Sequence, residues 1–181
     1  MKAKAVPVVW TRRDWLGALP AGVVAAAGLG ASAMPAAAAT PATTATTAPI
    51  VWPELNWADG SHTTAASFQG VPVVLVFWAT WCGYCRRHNA HIDALYRSVE
   101  PSRLRVISAA IDSDAPGVRR YLTANGYRFP VALDTGGLRP RFTPRRVVPM
   151  TCTLDRDGRL QQCIPGEMAE ADVMDLARLA R

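Results

Sequence analysis

Two cysteines stand two residues apart at the end of an apolar run in "VLVFWATWCGYCRRH", Val74 to His88. A thiol pair with this spacing can exchange disulfides, hold a permanent bridge or supply half of a zinc site. A zinc site needs four ligands in closed geometry. The remaining candidates are Cys152, Cys163 and three histidines, with no second close-spaced pair. Exchange fits the surroundings better. Cys82 follows an apparent buried strand and opens an apparent helix. The free N–H groups and positive dipole end there favour a thiolate, drawing its pKa from about 8.5 toward the 3.5–7.5 range of such sites. Cys85 lies one helical turn on, close enough to attack a mixed disulfide on Cys82. The spacing therefore assigns attack to Cys82 and resolution to Cys85. Gly83 leaves room for a substrate chain, and Tyr84 places a ring over the surface of the site.

The elements that position this pair are legible on either side. Val71 to Trp78 is a continuous, valine-rich apolar run, the pattern of a central strand buried on both faces. Ile92, Leu95, Tyr96 and Val99 then fall at helical spacing, and Pro101 marks the stop. Arg103 to Ile111 reads as a second strand. Asp114 can cap a helix with Pro116 in its first turn, closed by Asn125-Gly126. Phe129 to Leu133 is a short third strand. Val147 to Leu154 and Arg159 to Ile164 flank the hairpin signal "DRDG", and Val173, Leu176, Ala177 and Ala180 mark a C-terminal helix. Upstream, "WPELNWADGSH" can form a small hairpin around Asp59-Gly60. This order predicts an α/β fold, a central mixed β-sheet with helices on both faces.

The first segment reads as an export signal. Arg12-Arg13 with Trp15 and Leu16 resembles the twin-arginine motif, and a weakly apolar run follows to Ala33. Ala37-Ala38-Ala39 fits a cleavage site. Residues 1–39 are thus expected to be a signal, cleaved or retained as an anchor. Residues 40–50, rich in Thr, Ala and Pro, are a linker, and 51–181 form the folded domain. The net charge of +6 includes Lys2, Lys4, Arg12 and Arg13; beyond residue 39 stand 16 arginines, no lysine and 13 acidic residues. That near balance argues against a nucleic-acid binder. Export would place the thiols in the periplasm, an oxidising compartment.

The second cysteine pair flanks the hairpin. A two-residue turn at Asp157-Gly158 would set Cys152 opposite Cys163, within reach of a disulfide. A type I turn over Asp155 to Gly158, with Gly158 left-handed, would set Cys152 opposite Gln162. The sequence does not choose between them. In an oxidising compartment a structural disulfide is expected, with two free thiols or a second redox centre as the alternatives. His88 and His91 follow the redox pair on one helix. His88 could tune the site, but a solvated helix surface is the expected place for both.

"FWATWCGYCRR", together with "ADGSHTTAASFQGVPVVLVFWATWC", "YLTANGYRFPVALD" and "VVPMTCTLDRDGRL", resembles the thioredoxin superfamily, specifically the TlpA/ResA-like envelope thiol–disulfide oxidoreductases. The likeness covers Trp52 to Arg181. It implies a thioredoxin-like fold and a redox-active Cys82–Cys85 disulfide, without metal or organic cofactor. It also implies a cis-proline at Pro149 facing the thiols. Trp81, Gly83, Tyr84, Val148 and Pro149 are then the expected substrate-binding residues. The resemblance favours a reductase of exported proteins, fed by a membrane electron donor of the DsbD or CcdA kind. A disulfide oxidant or isomerase is the alternative, and a copper-binding or metal-delivery protein is the alternative of another class. Several positions depart from the pattern. Val76 stands where thioredoxins proper carry a buried acid, Tyr84 where many relatives have proline, and Ala90 where a helix proline is frequent. Gly83-Tyr84 matches disulfide isomerases of the DsbC type. Met150-Thr151 follow the proline where relatives dedicated to cytochrome c maturation often carry an acid.

Overall fold

The computed structural model describes residues 48–64, 68–134 and 137–181. The export signal and most of the expected linker lie outside them. Pro49 bridges Arg159, and the Ile50 N–H donates to Gly158 O at 2.8 Å, so the last linker residues lie against the hairpin turn. No helix among the described residues is long and apolar enough to cross a membrane.

Two short strands, β1 (Leu55–Asn56) and β2 (His62–Thr63), form the small upstream hairpin. Then come β3 (Val73–Trp78), α1 (Gly83–Ser98), β4 (Arg105–Ala110), α2 (Ala115–Asn125) and β5 (Val131–Leu133). The chain closes with β6 (Met150–Leu154), β7 (Leu160–Pro165) and α3 (Glu170–Asp175), followed by a 3-10 turn at Leu176–Ala180. The five-stranded sheet has the order β5-β4-β3-β6-β7. β3, β4 and β5 are parallel, while β6 runs antiparallel to β3 and β7 antiparallel to β6. This is the mixed sheet of a thioredoxin-like fold. β3 begins after Pro72, which cannot donate to the ladder. All six of its side chains are buried, as a central strand requires.

The pleat splits these side chains between two cores. Val74, Val76 and Trp78 pack with Ile92 and Leu95 of α1, Val118 of α2 and Val173 of α3. Val73, Leu75 and Phe77 face the other way, onto Trp52, Phe68, Leu138 and Phe142. Among the described residues the α-helices α1, α2 and α3 pack on one face, and the 3-10 turn at Arg139–Arg141 and the upstream segment lie on the other. The Trp52 ring stacks on Phe68 at 4.5 Å between centroids and meets Phe142 edge-on at 5.2 Å. The upstream hairpin shields the β5 edge, with Trp57 bridging Ala132 and the Ala58 N–H donating to Val131 O at 2.8 Å.

One local expectation changes, and one open choice is decided. Asp114 occupies the N-cap position of α2, but its side chain makes no capping hydrogen bond and faces Arg120 at 3.4 Å instead. In the β6–β7 hairpin the turn is the left-handed-glycine form. Gly158 has φ 75°, its N–H donates to Asp155 O at 3.0 Å, and the Asp155 N–H donates to Arg159 O at 3.1 Å. Alone, that turn would place Cys152 opposite Gln162. However, Leu154 pairs with Leu160 while Thr153 pairs with Gln162, leaving Gln161 as a bulge. The extra residue shifts the register by one and sets Cys152 opposite Cys163. Gln161 Nε2 donates to Asp155 Oδ2 at 2.7 Å, pinning the bulge to the turn.

Cys152 and Cys163 are joined as a disulfide, with Cα atoms 4.1 Å apart. Both sit in the core on the face of Leu75 and Phe77, whereas Cys82 and Cys85 belong to the opposite core. The sheet separates the two pairs.

Candidate active site

The end of β3 sets where the first thiol stands. Trp78 Nε1 donates to Ser108 Oγ at 2.9 Å inside the core. Beyond it the chain is tied to Asp112, just past the neighbouring strand. Thr80 N–H donates to Asp112 Oδ2 at 3.0 Å and Thr80 Oγ1 to Asp112 Oδ1 at 2.6 Å. Nothing in the sequence pattern singled out Asp112, because its partner lies 32 residues away. Replacing it with alanine removes both bonds and leaves the Thr80 N–H without a partner. A stability loss of about 1–3 kcal/mol in chemical unfolding is expected, with faster proteolysis in the Ala79–Trp81 turn.

Cys82 is the N-cap of α1 (φ −88°, ψ 111°), and its sulfur accepts the Cys85 N–H at 3.1 Å. Cys82 and Cys85 are joined as a disulfide, with Cα atoms 5.2 Å apart. Their surroundings differ: Cys82 is 9% exposed and Cys85 0%. An incoming sulfur can approach only the first. Gly83 has no neighbour within 4 Å of where a Cβ would stand, so open space lies beside the outer sulfur. Trp81 and Tyr84 project into solvent on either side, 71% and 65% exposed.

The loop before β6 faces this turn. The Val148–Pro149 bond is cis, and Val148 O lies 3.7 Å from Cys82 Sγ. Pro149 is buried, and its carbonyl accepts the Gly166 N–H at 2.8 Å. Cys82, Gly83, Trp81, Tyr84, Val148 and Pro149 are thus brought together. Glu167, next after Gly166, receives Arg87 through both guanidinium arms, Nε to Oε1 at 2.7 Å and Nη2 to Oε2 at 2.5 Å. That pairing holds the Glu167 carboxyl below the usual carboxylate range and raises Arg87. The Arg87 guanidinium also lies 5.4 Å from the Tyr84 ring centroid.

The expected solvated position of His88 is wrong. Its side chain is fully buried, and both ring nitrogens are engaged. Nδ1 accepts the Met168 N–H at 3.3 Å, which leaves the proton on Nε2 to donate to Thr151 Oγ1 at 2.9 Å. Burial, reinforced by the nearby His91, lowers its pKa from 6.5 to about 4. His88 is therefore a neutral strut joining α1, one turn beyond Cys85, to the strand after the cis-proline and to the segment before α3. His91 is half-buried, with Nδ1 3.4 Å from Met168 O. Beneath the thiols, Val76 is paired with Ser108 on one side and Thr151 on the other. Hydroxyls, not a carboxylate, flank the position where thioredoxins proper carry an acid. Among the described residues no three His, Cys, Asp or Glu side chains converge as a metal-binding group.

Residues 32–178 match the Redoxin family. Among curated proteins, the thiol-disulfide oxidoreductase ResA of Bacillus thuringiensis subsp. konkukian (strain 97-27) is 28% identical over 112 residues. The match spans 62% of this chain and 65% of that protein. The chain thus spans slightly under two thirds of the length of this curated relative. Among solved structures, a thiol:disulfide interchange protein, a thioredoxin family protein from Chlorobium tepidum TLS, aligns with TM-score 0.65 and 23% identity. It covers 75% of this chain and 99% of the other. A secreted Mycobacterium tuberculosis disulfide oxidoreductase, homologous to E. coli DsbE, aligns with TM-score 0.63 and 17% identity, covering 71% and 96%. These two structures share the fold.

Proposed function

This chain belongs to the Redoxin family, and on that premise we propose that it is a thiol–disulfide oxidoreductase working through Cys82 and Cys85. The observation that carries the reading is the asymmetry of the pair. One sulfur is accessible at a helix N-terminus and faces Val148 O, while the other is fully enclosed one turn behind it. As a reductase, the Cys82 thiolate attacks a substrate disulfide. One substrate sulfur bonds to Cys82 and the other departs as a thiolate that takes a proton. Cys85 then loses its proton and attacks Cys82 Sγ. The Cys82–Cys85 disulfide closes, and the second substrate thiol is released. Two electrons and two protons pass to the substrate.

Reduction of exported proteins is the preferred direction, with a membrane dithiol donor of the DsbD or CcdA kind resetting the pair. The TlpA/ResA-type sequence flanking the thiols supports that direction. The twin-arginine-type pattern at Arg12-Arg13 supports an extracytoplasmic location. Redox equilibration against dithiothreitol or glutathione tests the direction. A potential near thioredoxin's, about −270 mV, is expected. A value near about −120 mV would assign the protein to disulfide formation instead.

A further inference from the structure

Four large hydrophobic side chains are prominently exposed among the described residues: Val51, Trp81, Tyr84 and Val147. Three of them lie in the two segments that carry and face the outer sulfur. Trp81 and Tyr84 flank Cys82 in sequence. Val147 is joined to it through Val148, whose carbonyl lies 3.7 Å from Cys82 Sγ. Isolated exposed apolar residues are ordinary, but a cluster of this kind marks a contact surface.

The unpaired charges in the segments that carry this cluster are of one sign. Arg86 follows Cys85, and Arg145-Arg146 immediately precede Val147; all three are exposed. None of them has a carboxylate partner within ion-pair distance among the described residues. Two acids close to the site are already occupied. Glu167 is held by Arg87, and both Asp112 oxygens are taken by Thr80. The segments that carry the apolar residues therefore also carry exposed guanidinium groups available to carboxylates, which they bind in two-pronged fashion. A second copy of this chain would bring the same basic rim against itself and be repelled.

We propose that this surface receives an extended, cysteine-bearing polypeptide segment whose flanking residues are acidic. The apolar residue beside the substrate cysteine packs between Trp81, Tyr84 and Val147, and its Asp or Glu neighbours pair with Arg86, Arg145 and Arg146. This rests on the redox reading of Cys82 given above.

Three model peptides test it, each holding one cysteine as the neutral methyl disulfide. They are flanked by Asp/Glu, by Ser/Gln or by Lys/Arg. Second-order rates with the pre-reduced protein are divided by the rates with dithiothreitol, which removes the intrinsic effect of flanking charge. The acidic peptide should react about tenfold faster than the basic one at low ionic strength, with the gap closing in high salt. The double variant R145E/R146E, with its fold checked by thermal unfolding, should reverse the order. Equal normalised rates would overturn the inference while leaving the redox reading intact, because the neutral peptide is still consumed. A preference unchanged in the double variant would overturn the assignment to Arg145 and Arg146. No reaction with any peptide would remove the redox reading and this inference with it.

Discussion

Replacing Cys82 with serine is expected to lower disulfide exchange by at least about three orders of magnitude, the scale on which loss of an essential nucleophile acts. A serine hydroxyl stays protonated at neutral pH and makes no stable bond to sulfur. Replacing Cys85 has a different outcome. The Cys85→Ser protein retains the outer thiol, which is the one an incoming sulfur can reach. It should therefore attack substrate once and stop at the mixed disulfide. Mass spectrometry after incubation with a disulfide-bearing protein should find the adduct on Cys82 in Cys85→Ser and none in Cys82→Ser. Equal trapping on Cys85 in the Cys82→Ser protein would contradict the division of labour read from the asymmetric burial.

His88 carries the second large effect. In His88→Leu the Met168 N–H and the Thr151 hydroxyl lose their buried partner, and a loss of about 2–4 kcal/mol follows from two unpaired groups. The pH dependence separates this from a simple packing defect. The unfolded chain takes a proton on His88 near pH 6.5, while the folded chain resists protonation until about pH 4. Protons therefore favour the unfolded state across that window. The stability linked to His88 is complete above pH 6.5 and falls by about 3 kcal/mol as pH drops to 4. His91 lowers this titration and Glu167, itself paired with Arg87, opposes it. Both remain in the variant, so the difference between the two proteins isolates His88. Urea unfolding from pH 7 to 4 should show the wild-type advantage over His88→Leu shrinking by about that amount. Parallel stability curves would mean that His88 is charged or solvated in the folded protein.

His88 also shows where the sequence stops being informative. The apolar stripe Ile92, Leu95, Tyr96 and Val99 sets the face of α1 that is buried. His88 falls on that stripe, four residues before Ile92, so spacing alone points inward; it reads as surface because it is polar and its partners lie 63 and 80 residues away. Only the closing of β6 and of the segment before α3 over the helix makes it a core residue. Asp112 was hidden for the same reason. The strand at Val73–Trp78, the helix that begins after Cys82 and the α/β order were legible because they rest on local periodicity and on proline and glycine stops. The Cys152–Cys163 register was only half legible. Both candidate turns could be written down, but the bulge at Gln161 that decides the pairing depends on one side chain reaching back to Asp155. The packing of the second face was not legible, because Trp52, Phe68 and Phe142 are too scattered in sequence to show a period.

The central claim is that the fold turns one of two neighbouring thiols into an accessible thiolate and hides the other. Alkylation of the fully reduced protein by iodoacetamide across pH, with the label located by mass spectrometry, measures this directly. First modification should fall on Cys82, with a midpoint below about pH 7.5, as expected for a thiol at a helix N-terminus. Modification of Cys85 first, or a Cys82 midpoint at or above the ordinary value of about 8.5, would contradict it.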